Sequence, residues 1–529
     1  MLGKISLYYY TIRNMKPSQV FNRIRIRLGY GCALGVKPTP FSDDVSIVDT
    51  PSSLDYDPVF LDRFPADELM NDRITILHST EDFDWKSKWE IGGKSDLWNY
   101  NLHYFEYIFP LVKKWNGTGD RRYLNKSFEI LDGWIESNPQ GTKPAWASYT
   151  IALRIVNWIS FYTYVREEMP LGFKSRFLSS LYSQYCYLSR HLEKDILGNH
   201  YFEDLKCLVI ASIFFKDEKL FSKAIQMFKK ECEEEILQDG MHFELSPMYH
   251  KIVLEGIMRT AIALRGSGRQ NKEIEKYLQP MLDVAYTFEN ELNRIPLFND
   301  SGNNVAKSLE SIIDTATSYF NIKPRFKTSL ETSGFYFFRK NINGKEWRLI
   351  VDAGQPGPKY IPGHAHCDAM SFELFCDGKP IAVNCGTYAY QDSKRYFFRS
   401  TAAHNTVMVD DTEQSQIWGI FRLAKRSKTK VLSISDSSIA MEMRDQKGNV
   451  VNRTITLNDN LVVKDFAKGH NISSFIHLRA PLLVRHNVLE DKKMSAYAED
   501  YGDLQQADAI KLTNKDVIEA ELRMESLSW

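Results

Sequence analysis

The hydrophobic periodicity of this chain changes once, near residue 330, and that change limits the folds open to it. From about Leu97 to Leu292, apolar residues recur at spacings of three and four. SYTIALRIVNWISFYTYV (Ser148 to Val165), EDLKCLVIASIFF (Glu203 to Phe215) and SPMYHKIVLEGIMRTAIAL (Ser246 to Leu264) are examples, and the pattern is that of helices. Their starts are marked: Ser246 suits an N-cap with Pro247 at the first helical position, and Gly198-Asn199 precedes another helix. Several of these helices are apolar on more than one face, which points to a layered helical toroid rather than a simple bundle. Past residue 330 the runs shorten and alternate. SGFYFFRK, EWRLIVDAG, SIAMEMRD and NRTITLNDNLVVKDF read as strands, and Asp377-Gly378 between ELFC and KPIAVNC is a hairpin turn. The expected fold is therefore α+β and multidomain: an incomplete (α/α) toroid followed by an antiparallel β-sandwich. Residues 1–90 are assigned to an N-terminal packing segment, 91–325 to the toroid and 326–529 to the sandwich.

A chain of 529 residues, 43% of them hydrophobic, can bury two such cores. Its 67 basic and 67 acidic residues cancel, which gives no support to a nucleic-acid partner. Seven cysteines without a CxxC pair indicate neither a disulfide framework nor a cysteine-rich zinc module. The apolar run ISLYYYTI, followed by Arg13, is short and has no small-residue cleavage site. A cytoplasmic location is the expectation, and a periplasmic one if the true start lies upstream. The segment VFNRIRIRLGYG, Val20 to Gly31, sets Arg23, Arg25 and Arg27 among apolar residues. Contact with an anionic membrane or a partner is open to it, but an exposed basic segment packed on the domain is the preferred reading.

Chemistry-bearing residues gather in a few places. In PGHAHCDAMSF, Pro362 to Phe372, two histidines two apart precede an alternating run; in an extended chain both face the same way. LGNHYFED (Leu197 to Asp204) and DGMHFELSPMYH (Asp239 to His250) sit at helix N-termini, where backbone N–H groups favour anions. RYFFRSTAAHNTVMVD adds Arg399, His404 and Asn405, and WASYTIALRIVNW adds Arg154 and Asn157. Such groups suit an acidic, hydroxyl-rich ligand. Each also has a plainer reading: Asn199 as a helix N-cap, Tyr249 as a half-buried core tyrosine, and the histidines as satisfied core residues.

Taken in order, GNHYFEDLKCL, DGMHFELSPMYH, PGHAHCDAMSFELF with NCGTY, and FRSTAAHNTVMVD resemble the heparinase II/III family of polysaccharide lyases. The resemblance runs from about Trp98 to Asp411. It implies the same toroid and sandwich with a cleft between them. It also implies β-elimination of an acidic, uronic-acid-containing polysaccharide, which leaves a 4,5-unsaturated sugar. On this resemblance Asn199 neutralises the uronate carboxylate, His364 assists it or acts as base, and Tyr249 acts as base or acid. His404, Arg154 and Arg399 are the candidates for lowering the Tyr249 pKa from its usual value of about 10. His404 is counted with Asn199, Tyr249 and His364 as catalytic, and Arg154, Asn157, His200, Glu244, Arg399 and Asn405 as substrate-binding. No cofactor is needed for the chemistry. Relatives hold a structural cation, zinc or calcium, through positions matched here by His366, Asn384 and His404, and an amide at Asn384 weakens such a site. Two other functions remain open at this point. One is a glycoside hydrolase using carboxylates among Glu203, Asp204, Asp239 and Glu244; the other is a non-catalytic glycan-binding or assembly protein of exopolysaccharide synthesis.

Overall fold

The structure is a computed structural model and describes residues 2–28, 44–524 and 527. Its helical half is built from two kinds of helix, which differ in how much of their circumference is apolar. In Asn199–Phe214 every residue from Phe202 to Phe214 is buried, so the helix has no solvent face. Ser148–Val165 and Pro247–Gly266 are buried almost as completely. By contrast, Glu218–Glu235 buries only Ala224, Ile225, Phe228, Glu231, Cys232 and Glu235, a single stripe at helical spacing. The three largely buried helices pack on one another in chain order, and Arg121–Ser137, Leu171–Leu188, Glu218–Glu235 and Leu278–Glu289 cover them from outside. The result is the incomplete (α/α) toroid that the periodicity indicates. Its inner helices begin at Ser148, Asn199 and Pro247, and residues of these first turns converge on one cleft.

Among the described residues every strand-to-strand pairing of the second half is antiparallel, with one isolated parallel bridge between Gly386 and Ala498. Phe335–Ile342 pairs with Lys345–Asp352, which pairs with Phe372–Cys376 and through it with Lys379–Ala382. The Asp377-Gly378 turn has positive φ at both residues, as a type I′ hairpin requires. Two long strands, Leu461–Leu478 and Asp503–Arg523, pair along most of their lengths, with a register shift between Ala467 and Asn471. The first half of Leu461–Leu478 pairs with Val450–Leu457 and the second with Val407–Val409, so one strand serves both layers of the sandwich. An apolar seam of Phe288, Phe298, Phe335, Phe337 and Ile350 joins the two halves.

Two expectations are corrected here. The HxH pair does not open a strand: residues 361–371 are irregular, and the strand starts at Phe372. Asn199 is not an N-cap. Gly198 holds that position at φ +63°, and Asn199 is the first helical residue, with its side chain free for other contacts. Ser246 does cap its helix, accepting from the Tyr249 N–H, with Pro247 following. Residues Val20 to Arg27 belong to the second of two short N-terminal helices, Leu2–Ile12 and Pro17–Arg27, and Leu28 is its C-cap, while residues 29–31 of the basic segment lie outside the described residues. Among the described residues no helix is long and apolar enough to cross a membrane.

Candidate active site

A cleft of about 560 Å³ runs along the seam between the toroid and the sandwich. Asn199, Tyr249 and His364 meet on its wall, brought there by two helix starts and the irregular 361–371 loop. The Tyr249 and His364 rings lie 4.0 Å apart between centroids. Asn199 Nδ2 is 3.3 Å from His364 Nε2 and donates to Glu244 Oε2 at 2.9 Å.

The group that organises this wall is Asp300, which is fully buried. His364 Nδ1 lies 2.9 Å from its Oδ2 and His366 Nε2 lies 2.9 Å from its Oδ1. Arg395 grips both oxygens, and Thr387 Oγ1 donates to Oδ1. The Ser246 hydroxyl, which caps the Tyr249 helix, donates to the Asp300 carbonyl at 2.7 Å. One residue thus ties the tyrosine helix to the histidine loop. Burial opposes its ionisation, but Arg395 and the two imidazole N–H groups together outweigh that and hold the carboxyl well below the usual range. A carboxylate only accepts, so His364 carries a proton on Nδ1, and its Nε2 is turned to the Asn199 amide.

Tyr249 is one end of a hydroxyl chain. Its Oη lies 2.8 Å from Tyr390 Oη, which lies 2.9 Å from Tyr501 Oη. Burial, with Tyr501, Asp300 and Glu244 adding to it against the Tyr390 hydrogen bond, raises the Tyr249 pKa well above 10. The phenol is therefore protonated in the resting protein. His200 stacks on Tyr149 at 4.5 Å and bonds Glu193 Oε2 through Nδ1 at 2.9 Å. Burial disfavours its charge, but Glu193, Glu244 and Glu203 outweigh this and raise its pKa.

Asn157 and His200 line the cleft, and Asn157 Nδ2 donates to the Tyr104 carbonyl at 2.8 Å. Five other assignments are corrected. Arg154 is fully buried, bonded to Gln184 and to the carbonyls of Ala145 and His103, and stacked on Trp134. Arg399 uses its guanidinium on the carbonyls of Ala365 and Ile420, pinning the histidine loop from behind. Asn405 bonds the carbonyl of Phe372 and the His477 N–H within the sandwich. Glu244 is 1% exposed and holds Asn199 rather than facing the cleft. Nor does His404 reach the cleft: it is buried, with Nδ1 on the Ser400 carbonyl and Nε2 3.1 Å from His366 Nδ1. None of His404, Arg154 and Arg399 lies against the Tyr249 hydroxyl. Asp204 bonds the Glu193 N–H and Asp239 the Ser333 N–H, so neither offers a carboxylate to the cleft.

The expected cation ligands are partly rearranged. Asn384 Oδ1 accepts from the Asn405 N–H, and its Nδ2 is buried without a partner among the described residues. Instead His366, His404 and Asp368 bring ligand atoms within 4.8 Å of one another. The orientation of the two imidazoles is informative. Asp300 fixes the His366 proton on Nε2 and the Ser400 carbonyl fixes the His404 proton on Nδ1, so two lone pairs face each other at 3.1 Å. Burial lowers both pKa values, His366 to about 4 and His404 to about 3, so neither ring takes up the proton that would relieve the repulsion at neutral pH. Two neutral nitrogens and a carboxylate are a donor set that fits a divalent cation.

A helical toroid seated on an antiparallel sandwich, with an amide, an imidazole and a phenol at the seam, defines a class of two-domain proteins with an inter-domain cleft. Sequence profiles place the chain within that class: the heparinase II/III N-terminus matches residues 55–327, and the heparinase II/III-like C-terminal domain matches residues 323–500. The chain belongs to the heparinase II/III family. A heparin-sulfate lyase of Pedobacter heparinus is 24% identical over 366 residues, covering 63% of this chain and 54% of the relative. Another, of Bacteroides thetaiotaomicron, is 23% identical over 402 residues, covering 66% and 57%. The matched stretch thus spans little more than half of each relative's length. Among solved structures, a crystal structure of heparinase III superposes with a TM-score of 0.69 at 17% identity, covering 96% of this chain and 92% of that one. That likeness is one of fold.

Proposed function

We propose that this protein is a polysaccharide lyase, cleaving a uronic-acid-containing, glycosaminoglycan-like polymer by β-elimination. One observation carries the reading: Asn199, His364 and Tyr249 share one wall of the cleft, with the two rings in contact and the amide within reach of the imidazole. The names of the two heparin-sulfate lyase relatives support an acidic substrate. Removing the C5 proton of a uronate places negative charge on its carboxylate, so a nearby N–H donor and a cation lower the barrier. Asn199 supplies the donor and His200 the cation. His364 Nε2, its tautomer held by Asp300, takes the C5 proton. The electrons of that C–H bond form the C4–C5 double bond as the C4–O4 bond breaks. Tyr249 gives its proton to the departing O4, and a leaving alkoxide is basic enough to take it even from a phenol whose anion burial disfavours. The imidazolium beside it then returns the proton to the tyrosinate, which closes the cycle.

The test is the ultraviolet absorbance of the conjugated 4,5-unsaturated uronate, followed on heparan sulfate, chondroitin, hyaluronan and bacterial uronate polymers. A rise on at least one of them, and none on a neutral glycan, is expected. New reducing ends without absorbance would mean hydrolysis, and binding without either would mean a glycan-binding protein.

His200→Ala is expected to lower kcat/KM at least about tenfold, the size of one charged hydrogen bond, with part of the loss in kcat because the cation stabilises charge that grows in the transition state. In the parent protein kcat/KM should fall as pH climbs through the raised His200 pKa, because the cation is lost there; the alanine variant should lack that fall.

We further propose that His366, His404 and Asp368 hold a structural divalent cation. When bound it supplies positive charge and ties the histidine loop to the Ser400–Asn405 segment; it takes no part in proton transfer. Elemental analysis of protein purified without chelator should find about one equivalent of metal per chain. Chelation should lower the melting temperature, and His404→Ala should remove both the metal and the response. A metal-free protein whose melting is indifferent to added zinc or calcium would reject the site.

A further inference from the structure

The helices Leu2–Ile12 and Pro17–Arg27 form a strap over one rim of the cleft, and its two faces are built differently. The inner face is fastened to both domains. Trp418 Nε1 donates to Thr11 Oγ1 at 3.1 Å and Lys425 lies over the Tyr10 ring, both from the sandwich side. Towards the toroid, Gln19 Nε2 donates to the Ile196 carbonyl at 3.0 Å, Arg23 pairs with Asp195 at 3.6 Å, and Lys16 pairs with Glu234. Thr11, Met15, Gln19 and Arg23 line the cleft itself.

The outer face carries the apolar side chains. Ile5, Tyr9 and Ile12, at spacings of four and seven, are 53–59% exposed, and Phe21, Ile24 and Leu28 are 54–69% exposed, while Tyr8 packs its ring edge-on against Trp418 at 5.1 Å. A helix packed on a domain for stability alone turns such a stripe inward. Here the stripe faces solvent on both helices, and contiguous apolar surface of this kind marks an interaction site. The charge on the strap is equally one-sided. Residues 2–28 contain six Lys and Arg and no Asp or Glu, in a chain whose total charge is zero. Arg13, Arg25 and Arg27 are exposed beside the stripe, while Lys16 and Arg23 are engaged on the inner side.

We propose that the outer face of this strap docks on an anionic lipid surface. The apolar stripe enters the headgroup boundary with Tyr9 at its polar edge, and Arg13, Arg25 and Arg27 meet the lipid phosphates. An amphipathic helix with a basic flank and no acidic residue is what an interfacial, non-spanning attachment requires. Because the inner face of the same helices lines the cleft, docking sets the cleft rim beside the membrane.

The test is flotation of the full-length protein with vesicles of phosphatidylcholine alone and of phosphatidylcholine mixed equally with phosphatidylglycerol. Three exposed arginines predict a preference of about a hundredfold for the anionic vesicles, falling steeply with added salt. Arg25→Glu/Arg27→Glu should abolish the preference. Phe21→Ser/Ile24→Ser should weaken binding at every salt concentration, and since these side chains are largely solvent-exposed, both variants should melt like the parent. No binding, or equal binding to the two vesicles, would overturn the proposal. So would a concentration-dependent dimer, seen by size exclusion, that the Phe21→Ser/Ile24→Ser variant loses, because a second copy of the chain would then be the occupant.

Discussion

Replacing Tyr249 with phenylalanine should abolish turnover while leaving the fold and glycan binding in place. The substitution removes one oxygen, whose recorded hydrogen bond is to Tyr390 Oη. Tyr390 keeps its bond to Tyr501, so the cost in stability is that of one neutral hydrogen bond, about 1 kcal/mol. The cost in rate is of another order, because without the phenol O4 departs as an unprotonated alkoxide. A positioned acid contributes about 10²–10⁴-fold, and a loss at the upper end is expected because His364 is already occupied with the C5 proton. Initial rates of absorbance change, set beside melting temperature and ligand retention, separate the two effects. Tyr390→Phe should lose less, since it leaves the Tyr249 phenol in place and removes one of the hydrogen bonds that positions it. A Tyr249→Phe protein that keeps a tenth of the parent rate would remove the tyrosine from the mechanism.

The two residues placed at helix starts were legible because helix starts announce themselves. Ser246-Pro247 sets the register that puts Tyr249 in the first turn, and Gly198 sets that of Asn199. The histidine pair was also legible, for a reason that survived a wrong premise. Residues 361–371 have no ladder partner and form no strand, yet His364 and His366 still turn to the same carboxylate. The same spacing extends to Asp368, two residues on, and was the available signal that Asp368 lies beside the imidazoles. Asp300 was not legible. It lies in the connecting segment FNDSGNN, without periodicity and 64 residues before His364, and only the docking of the two domains brings them together. Arg154, Arg399 and Asn405 were misread because a polar residue in an apolar run has two uses that look alike in sequence. It can face a ligand, or it can satisfy buried carbonyls, which also need donors. For these three the carbonyls are the partners.

Asp300→Asn should be damaging in two separable ways. The amide keeps the shape of the carboxylate but not its charge, so Arg395, 4% exposed, is left as a buried cation without its anion. Breaking a buried pair in this way costs about 3–5 kcal/mol, and a clear fall in melting temperature is expected. The second damage falls on His364. An amide can offer Nδ1 either an oxygen or an N–H, so the tautomer with its lone pair at Nε2 is no longer enforced. The equivalent change in a Ser-His-Asp triad lowers kcat about 10⁴-fold, and a loss of about 10²–10⁴-fold is expected here. Adding Arg395→Gln to Asp300→Asn removes the stranded charge and should return part of the lost stability. It cannot restore a carboxylate to His364, so activity should remain low. If the double variant recovers rate together with stability, Asp300 is a strut, and the base is oriented by something else. If stability returns alone, the buried carboxylate is what makes the first histidine of the pair a base.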